Sequence, residues 1–161
     1  MTKLISVSIL VLSVAISASA DNIPAPHVDS SELSETCLPD SDQIRVTVEG
    51  VSKEGLLTVE LYEPSKRAFL KSASRLQRIR IPAQNGQQTV CFHEQPAGRY
   101  AVATYHDVDA DHDLDQKWNG MPKEPFGLST NPKLRFGFPK FENAAFDVSE
   151  GGTAITITLV R

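Results

Sequence analysis

Asp107, Asp109, Asp111, Asp113 and Asp115 stand on every second residue of a stretch that opens at Tyr105 and continues through Trp118, Gly120, Glu124 and Phe126. Two carboxylates about 5 Å apart repel by roughly 3 kcal/mol at an effective dielectric near 20, so a group of them converges only around a counter-cation and otherwise splays into water. Hard divalent cations want several oxygen ligands, and calcium accepts about six to eight in tolerant geometry. With Asp107 as first position, the other four aspartates fall at the third, fifth, seventh and ninth positions of a calcium loop. The sixth position is His112 where such a loop needs Gly, and the twelfth is Trp118 where it needs a bidentate Glu, which excludes a standard EF-hand. Glu124 is the nearest substitute acid, provided Gly120-Met121-Pro122 loops back. An extended strand would space these side chains by about 6.6 to 7 Å, too far for one ion, so coordination requires a turn. The expected calcium ligands are Asp107, Asp109, Asp111, Asp113, Asp115 and Glu124. Two other readings stay open: a solvated acidic loop without metal, and a zinc or iron site with His106 and His112 turned inward.

The elements that must carry this loop read as β-strands. Ile44, Val46 and Val48 alternate with Arg45, Thr47 and Glu49, and Leu57, Val59 and Leu61 alternate with Thr58 and Glu60, the period of half-buried strands. Lys53-Glu54-Gly55 is expected to join the two as a hairpin. Residues 76–81 and 88–93 read as further strands around Gln84-Asn85-Gly86, and 64–74 as a short helix or irregular crossing. Gly98–Tyr105 leads straight into the acidic segment, and strands at 144–148 and 154–160 form a closing hairpin around Glu150-Gly151-Gly152. About seven short strands with few helical signals predict an all-β fold, a Greek-key β-sandwich of immunoglobulin or transthyretin type. That domain spans 43–161 and carries 106–139 as its long acidic loop, far longer than a hairpin connection; such excursions are commonly functional or ion-stabilised.

Lys3, the apolar run from Leu4 to Ile16 and the close Ala18-Ser19-Ala20 mark residues 1–20 as a cleaved secretory signal peptide. Residues 21–42, rich in Pro, Ser, Asp and Glu, follow as an extended leader. No Cys follows the apolar run at the cleavage point, which gives no sign of a lipid anchor, and no later stretch is long enough to span a membrane. The product is expected in the periplasm or outside the cell. Cys37 and Cys91 would meet an oxidising environment there and are expected to form a disulfide with a structural role. The formal charge of -4 argues against nucleic acid as partner. Positive charge is nevertheless concentrated: Lys66, Arg67, Lys71, Arg75, Arg78 and Arg80 come with no acid between them. A solvated basic face, an anionic ligand and pairing with the acidic loop each account for that run.

The stretch His106-Asp107-Val108-Asp109-Ala110-Asp111, with Leu114-Asp115, then Gly120-Met121-Pro122 and Phe126-Gly127-Leu128-Ser129, resembles domain of unknown function 2141, a group of small exported bacterial proteins. Gly98-Arg99-Tyr100-Ala101 and Phe141 through Phe146 are similar too, and the resemblance runs from Ile44 to Leu159. It implies an exported β-sandwich and no established activity. It also implies Asn-Gly where this chain has Asp111-His112, and Gly where it has Pro125; without Gly at 112 a left-handed turn there costs about 1 kcal/mol or more, and the loop is expected to curve differently from its relatives.

The leading functional expectation is a noncatalytic exported domain with Ca2+ in its loop. A neighbouring surface built on His106, Trp118 and Phe126, extended by Phe136 and Phe138, would bind a protein or glycan partner, although aromatics under a long loop also serve as its own small core. The alternatives are a metal-dependent enzyme with His106 as base beside the Asp cluster, and a structural or adhesion module indifferent to metal.

Overall fold

A computed structural model describes residues 37–38, 41–64, 69–133 and 139–161. The signal segment, the leader up to residue 36, and Lys66, Arg67, Phe136 and Phe138 lie outside the described residues. Eight strands follow in order: β1 Gln43–Val51, β2 Leu56–Tyr62, β3 Arg75–Pro82, β4 Gly86–His93, β5 Gly98–Asp107, β6 Phe126–Leu128, β7 Ala145–Val148 and β8 Thr153–Thr158. Helical structure among the described residues is confined to a 3-10 turn at Ser72–Ser74 and one α-turn at Phe141–Ala144. The fold is all-β.

The strands form two sheets, one ordered β4-β1-β8 and the other β3-β2-β5-β6 with β7 also on β5. The hairpins expected at 53–55 and 150–152 do not form. β1 and β2 fall in different sheets, as do β7 and β8, and β8 instead lies parallel to β1. The physical reason is in the apolar faces. Ile44, Val46 and Val48 of β1 bury themselves against Leu57, Val59 and Leu61 of β2 by facing them across the sandwich, where Val90, Phe92, Val102 and Ile157 complete the core. Side-by-side pairing would have left both apolar faces needing a second layer.

β5 organises the five-stranded sheet. From Ala101 to Asp107 it pairs with β2 on one side; on the other, Gly98–Ala101 pair with β7 and Ala103–Tyr105 with β6, so it runs on toward the acidic loop. β2 is buried on both faces: Thr58, Glu60 and Tyr62 point away from the core yet are 0%, 7% and 1% exposed. Phe69 covers Tyr62 edge-on and in turn meets Phe141, forming a second small apolar cluster with Ala101, Leu128 and Ala144. The outer face of this sheet is therefore a lined surface and not a solvated one.

Cys37 and Cys91 form a disulfide that straps the chain preceding β1 onto β4, and Gln43 adds side-chain hydrogen bonds to the backbone of Leu38. The sequence separation is 54 residues, for which the chain-entropy account gives about 4 kcal/mol of stabilisation. Replacing both cysteines with Ala is expected to lower the unfolding free energy by about 2 to 4 kcal/mol in urea titrations, with the sheet signal in circular dichroism retained.

Candidate metal centre

Strand alternation decides which residues meet at the end of β5. Successive side chains point to opposite faces, so Tyr105 and Asp107 face outward while His106, opposite Leu57, faces the core. Gly55 makes the fit possible: a Cβ there would lie 1.9 Å from the Asp107 carbonyl oxygen, and its φ of +78° is open to glycine. The chain then reverses through Ala110 and His112, at φ +58° and +73°. Residues other than glycine thus stand in the left-handed region at both positions, 112 included. Such a residue costs roughly 1 to 2 kcal/mol there. Offsetting this, the His112 amide donates to Asp107 Oδ2 at 2.9 Å and Arg80 Nη2 donates to the His112 carbonyl at 3.0 Å.

The return path is a small antiparallel excursion. Lys123 N donates to Asp115 O at 2.8 Å and Lys117 N to Met121 O at 2.7 Å, with Gln116 and Pro122 bridged. This folds the chain back so that the His106 amide donates to Pro125 O at 2.8 Å and the Val108 amide to Glu124 Oε1 at 2.8 Å. Asp107, Asp109 and Glu124 consequently bring one carboxylate oxygen each within 4.8 Å of one another. Asp107 is fully buried and Glu124 is 8% exposed. Among the described residues Asp107 Oδ1 and Glu124 Oε2 find no hydrogen-bond donor, a costly state for a buried carboxylate oxygen. Burial pushes the Glu124 carboxyl above its ordinary value; the backbone amides of Val108 and Asp115 oppose that shift, and the charges of Asp107 and Asp109 add to it.

The remaining predicted ligands do not join this group. Asp111 Oδ1 caps the amide of Asp113 at 2.8 Å, and Asp115 Oδ2 forms an exposed ion pair with Lys123 Nζ at 3.0 Å. Asp113 is exposed and lines a neighbouring cleft. Alternation along an extended strand fails after Asp109 because the chain turns, which separates the acids that the every-second-residue spacing aligned. His106 is 0% exposed, so its assignment to a partner surface is corrected. Its Nε2 contacts the Glu54 carbonyl; a carbonyl only accepts, so Nε2 donates there, and Nδ1 has no partner among the described residues. Trp118 is 98% exposed beyond the Gln116–Pro122 bridge, and Phe126 is half-buried in β6. Gly55 and Arg80 were not identified from sequence as site residues. The only signals for them were a glycine read as a hairpin turn and a place in the basic run.

Fold and site together define a two-sheet β domain with an acidic group carried on the long loop after its central strand. The chain belongs to a family of uncharacterised proteins conserved in bacteria, domain of unknown function 2141, whose model matches residues 46–156. No curated protein and no solved structure shows a significant match.

The raised Glu124 carboxyl has a stability consequence with a definite sign. In the folded, metal-free protein Glu124 keeps its proton above the pH at which the unfolded chain, near 4.5, releases it. The folded state then binds more protons, so this group's contribution to stability declines as pH rises from 4.5 through the raised value. In chelator-containing buffer, denaturant titrations across that range are expected to show the wild type losing stability relative to Glu124→Gln as pH increases.

Proposed function

We propose that the chain is an exported, noncatalytic binding domain whose loop holds a divalent cation, calcium by the nature of its donors, on Asp107, Asp109 and Glu124. The supporting observation is the pair of buried oxygens, Asp107 Oδ1 and Glu124 Oε2, that have no hydrogen-bond partner among the described residues and belong to a group with a third carboxylate. A cation supplies the missing partner for both and reverses the repulsion among the three acids. The donors are all hard oxygens, which suit calcium or magnesium; carbonyls and water would complete the roughly six to eight positions calcium takes.

Export is supported by the signal-like residues 1–20 and by the Cys37–Cys91 disulfide. Among the described residues no helix is long and apolar enough to cross a membrane. The rival reading as a metal enzyme loses its base, because His106 faces the core and is held on a backbone carbonyl. The binding role is supported by Trp118, the sole tryptophan, exposed on the small excursion within the loop whose ends, Asp107 and Glu124, meet at the acidic group. A cation at the foot of that loop would fix how the indole is presented to a protein or glycan partner.

Thermal melting tests this reading. With calcium at about a hundred times its dissociation constant, the melting temperature is expected to rise by about 5 °C or more over chelator-treated protein. In Asp107→Asn/Glu124→Gln the rise is expected to vanish. An unchanged wild-type melt, or an equal rise in the variant, would contradict the proposal.

A further inference from the structure

The outer face of the five-stranded sheet carries a second constellation that the cation does not involve. Strand register aligns it in two rows. Arg78, Glu60, Ala103 and Leu128 lie across β3, β2, β5 and β6 in one, and Arg80, Thr58, Tyr105 and Phe126 in the next. Each row grades from charged to apolar. Part of the acidic loop, from Asp113 to Pro122, roofs this face and encloses a cleft of about 630 Å³. That volume lies within the roughly 300 to 1,000 Å³ typical of small-molecule sites.

At the charged end, Glu60 Oε1 receives Arg75 Nη1 at 2.9 Å and both Nε and Nη2 of Arg78 at 2.8 Å. Glu60 Oε2 receives the Tyr62 hydroxyl at 2.5 Å. One carboxylate thus stands between two guanidinium groups, which leaves an excess of one positive charge in a partly buried place. Arg75 has engaged one N–H there and Arg78 two, out of five on each guanidinium. Both side chains remain about a fifth exposed, at 19% and 20%, and both line the cleft. Asp113 lines it as well, so the charged lining residues sum to zero. A multiply charged anion is poorly matched to that balance, whereas a single carboxylate on an apolar body meets donors at one end and Tyr105, Phe126 and Leu128 at the other.

We propose that this cleft binds a small monocarboxylic acid, its carboxylate on the free N–H groups of Arg75 and Arg78 and its apolar body against Tyr105, Phe126 and Leu128. The assignment goes beyond the cation reading and does not depend on it. Nothing covalent is involved.

The test titrates the purified protein with 4-phenylbutyrate and octanoate, with their neutral amides, and with inorganic phosphate. Amide chemical shifts of Ala103, Tyr105 and Leu128 are followed, in calcium and in chelator. Saturable shifts with at least one acid, in either buffer, are expected at concentrations up to about 10 mM. The matching amide is expected to bind at least about tenfold more weakly, because it cannot form the charge-assisted contact. Arg75→Gln, which leaves the Arg78–Glu60 pair in place, is expected to weaken the acid about fivefold or more. The acid-against-amide comparison needs no variant, so a misfolded substitution leaves the test intact. Saturation by neither acid, or equal binding of acid and amide, or tighter binding of phosphate than of both acids, would overturn the proposal.

Discussion

Asp107 and Glu124 reach one point from the two ends of a single loop, each buried and each with an oxygen that has no hydrogen-bond partner among the described residues. Their juxtaposition is the constraint on which the loop depends. Without a positive charge the arrangement combines desolvation with like-charge repulsion, and the raised carboxyl of Glu124 is the electrostatic expression of that conflict. The surrounding structure nonetheless enforces the meeting. Gly55 lets β2 come up against the Asp107 backbone, the Val108 amide holds Glu124, and the His112 amide holds the other oxygen of Asp107. A site fixed by backbone donors on either side keeps its geometry whether or not its charge is balanced, which is the preorganisation that cation binding rewards.

The same loop connects two features that are chemically separate. Its ends meet at the acidic group, while Asp113 to Pro122 forms the roof over the outer face of β2, β3, β5 and β6. Ordering at the foot of the loop is therefore mechanically continuous with the walls of the cleft, although each site has its own donors. Arg80 is the physical link: its Nε donates to Thr58 Oγ1 on the sheet at 3.2 Å and its Nη2 to the His112 carbonyl in the loop. The basic run of the sequence is thus divided by its roles. Arg80 braces the turn beside the acids, while Arg75 and Arg78 surround Glu60.

Much of this was legible in the amino-acid sequence, for reasons specific to each element. Period-two alternation exposes a strand to inspection, and β1, β2, β4 and β5 appear close to where Ile44, Leu57, Val90 and Val102 place them. Alternation reports that one face is apolar but not whether its partner lies beside it or across from it, and so β1 and β2 were read as a hairpin. β6, three residues long inside an irregular excursion, carries no period at all. Asp107, Asp109 and Glu124 were recognisable because carboxylates at that density either splay into water or gather round a cation; which of the six acids converge was set by turns at Ala110 and His112, which the spacing of the acids does not reveal. Glu60 looked like a solvated strand position. Its partners Arg75 and Arg78, 15 and 18 residues away, become its neighbours only through strand register.

The most direct measurement is anomalous diffraction from crystals of the protein grown in calcium, which locates the ion without reference to its effect on stability. The account expects one calcium with Asp107, Asp109 and Glu124 oxygens at about 2.3 to 2.6 Å. An anomalous map without a peak at these carboxylates, with Asp109 turned into solvent and water beside Asp107 and Glu124, would contradict it.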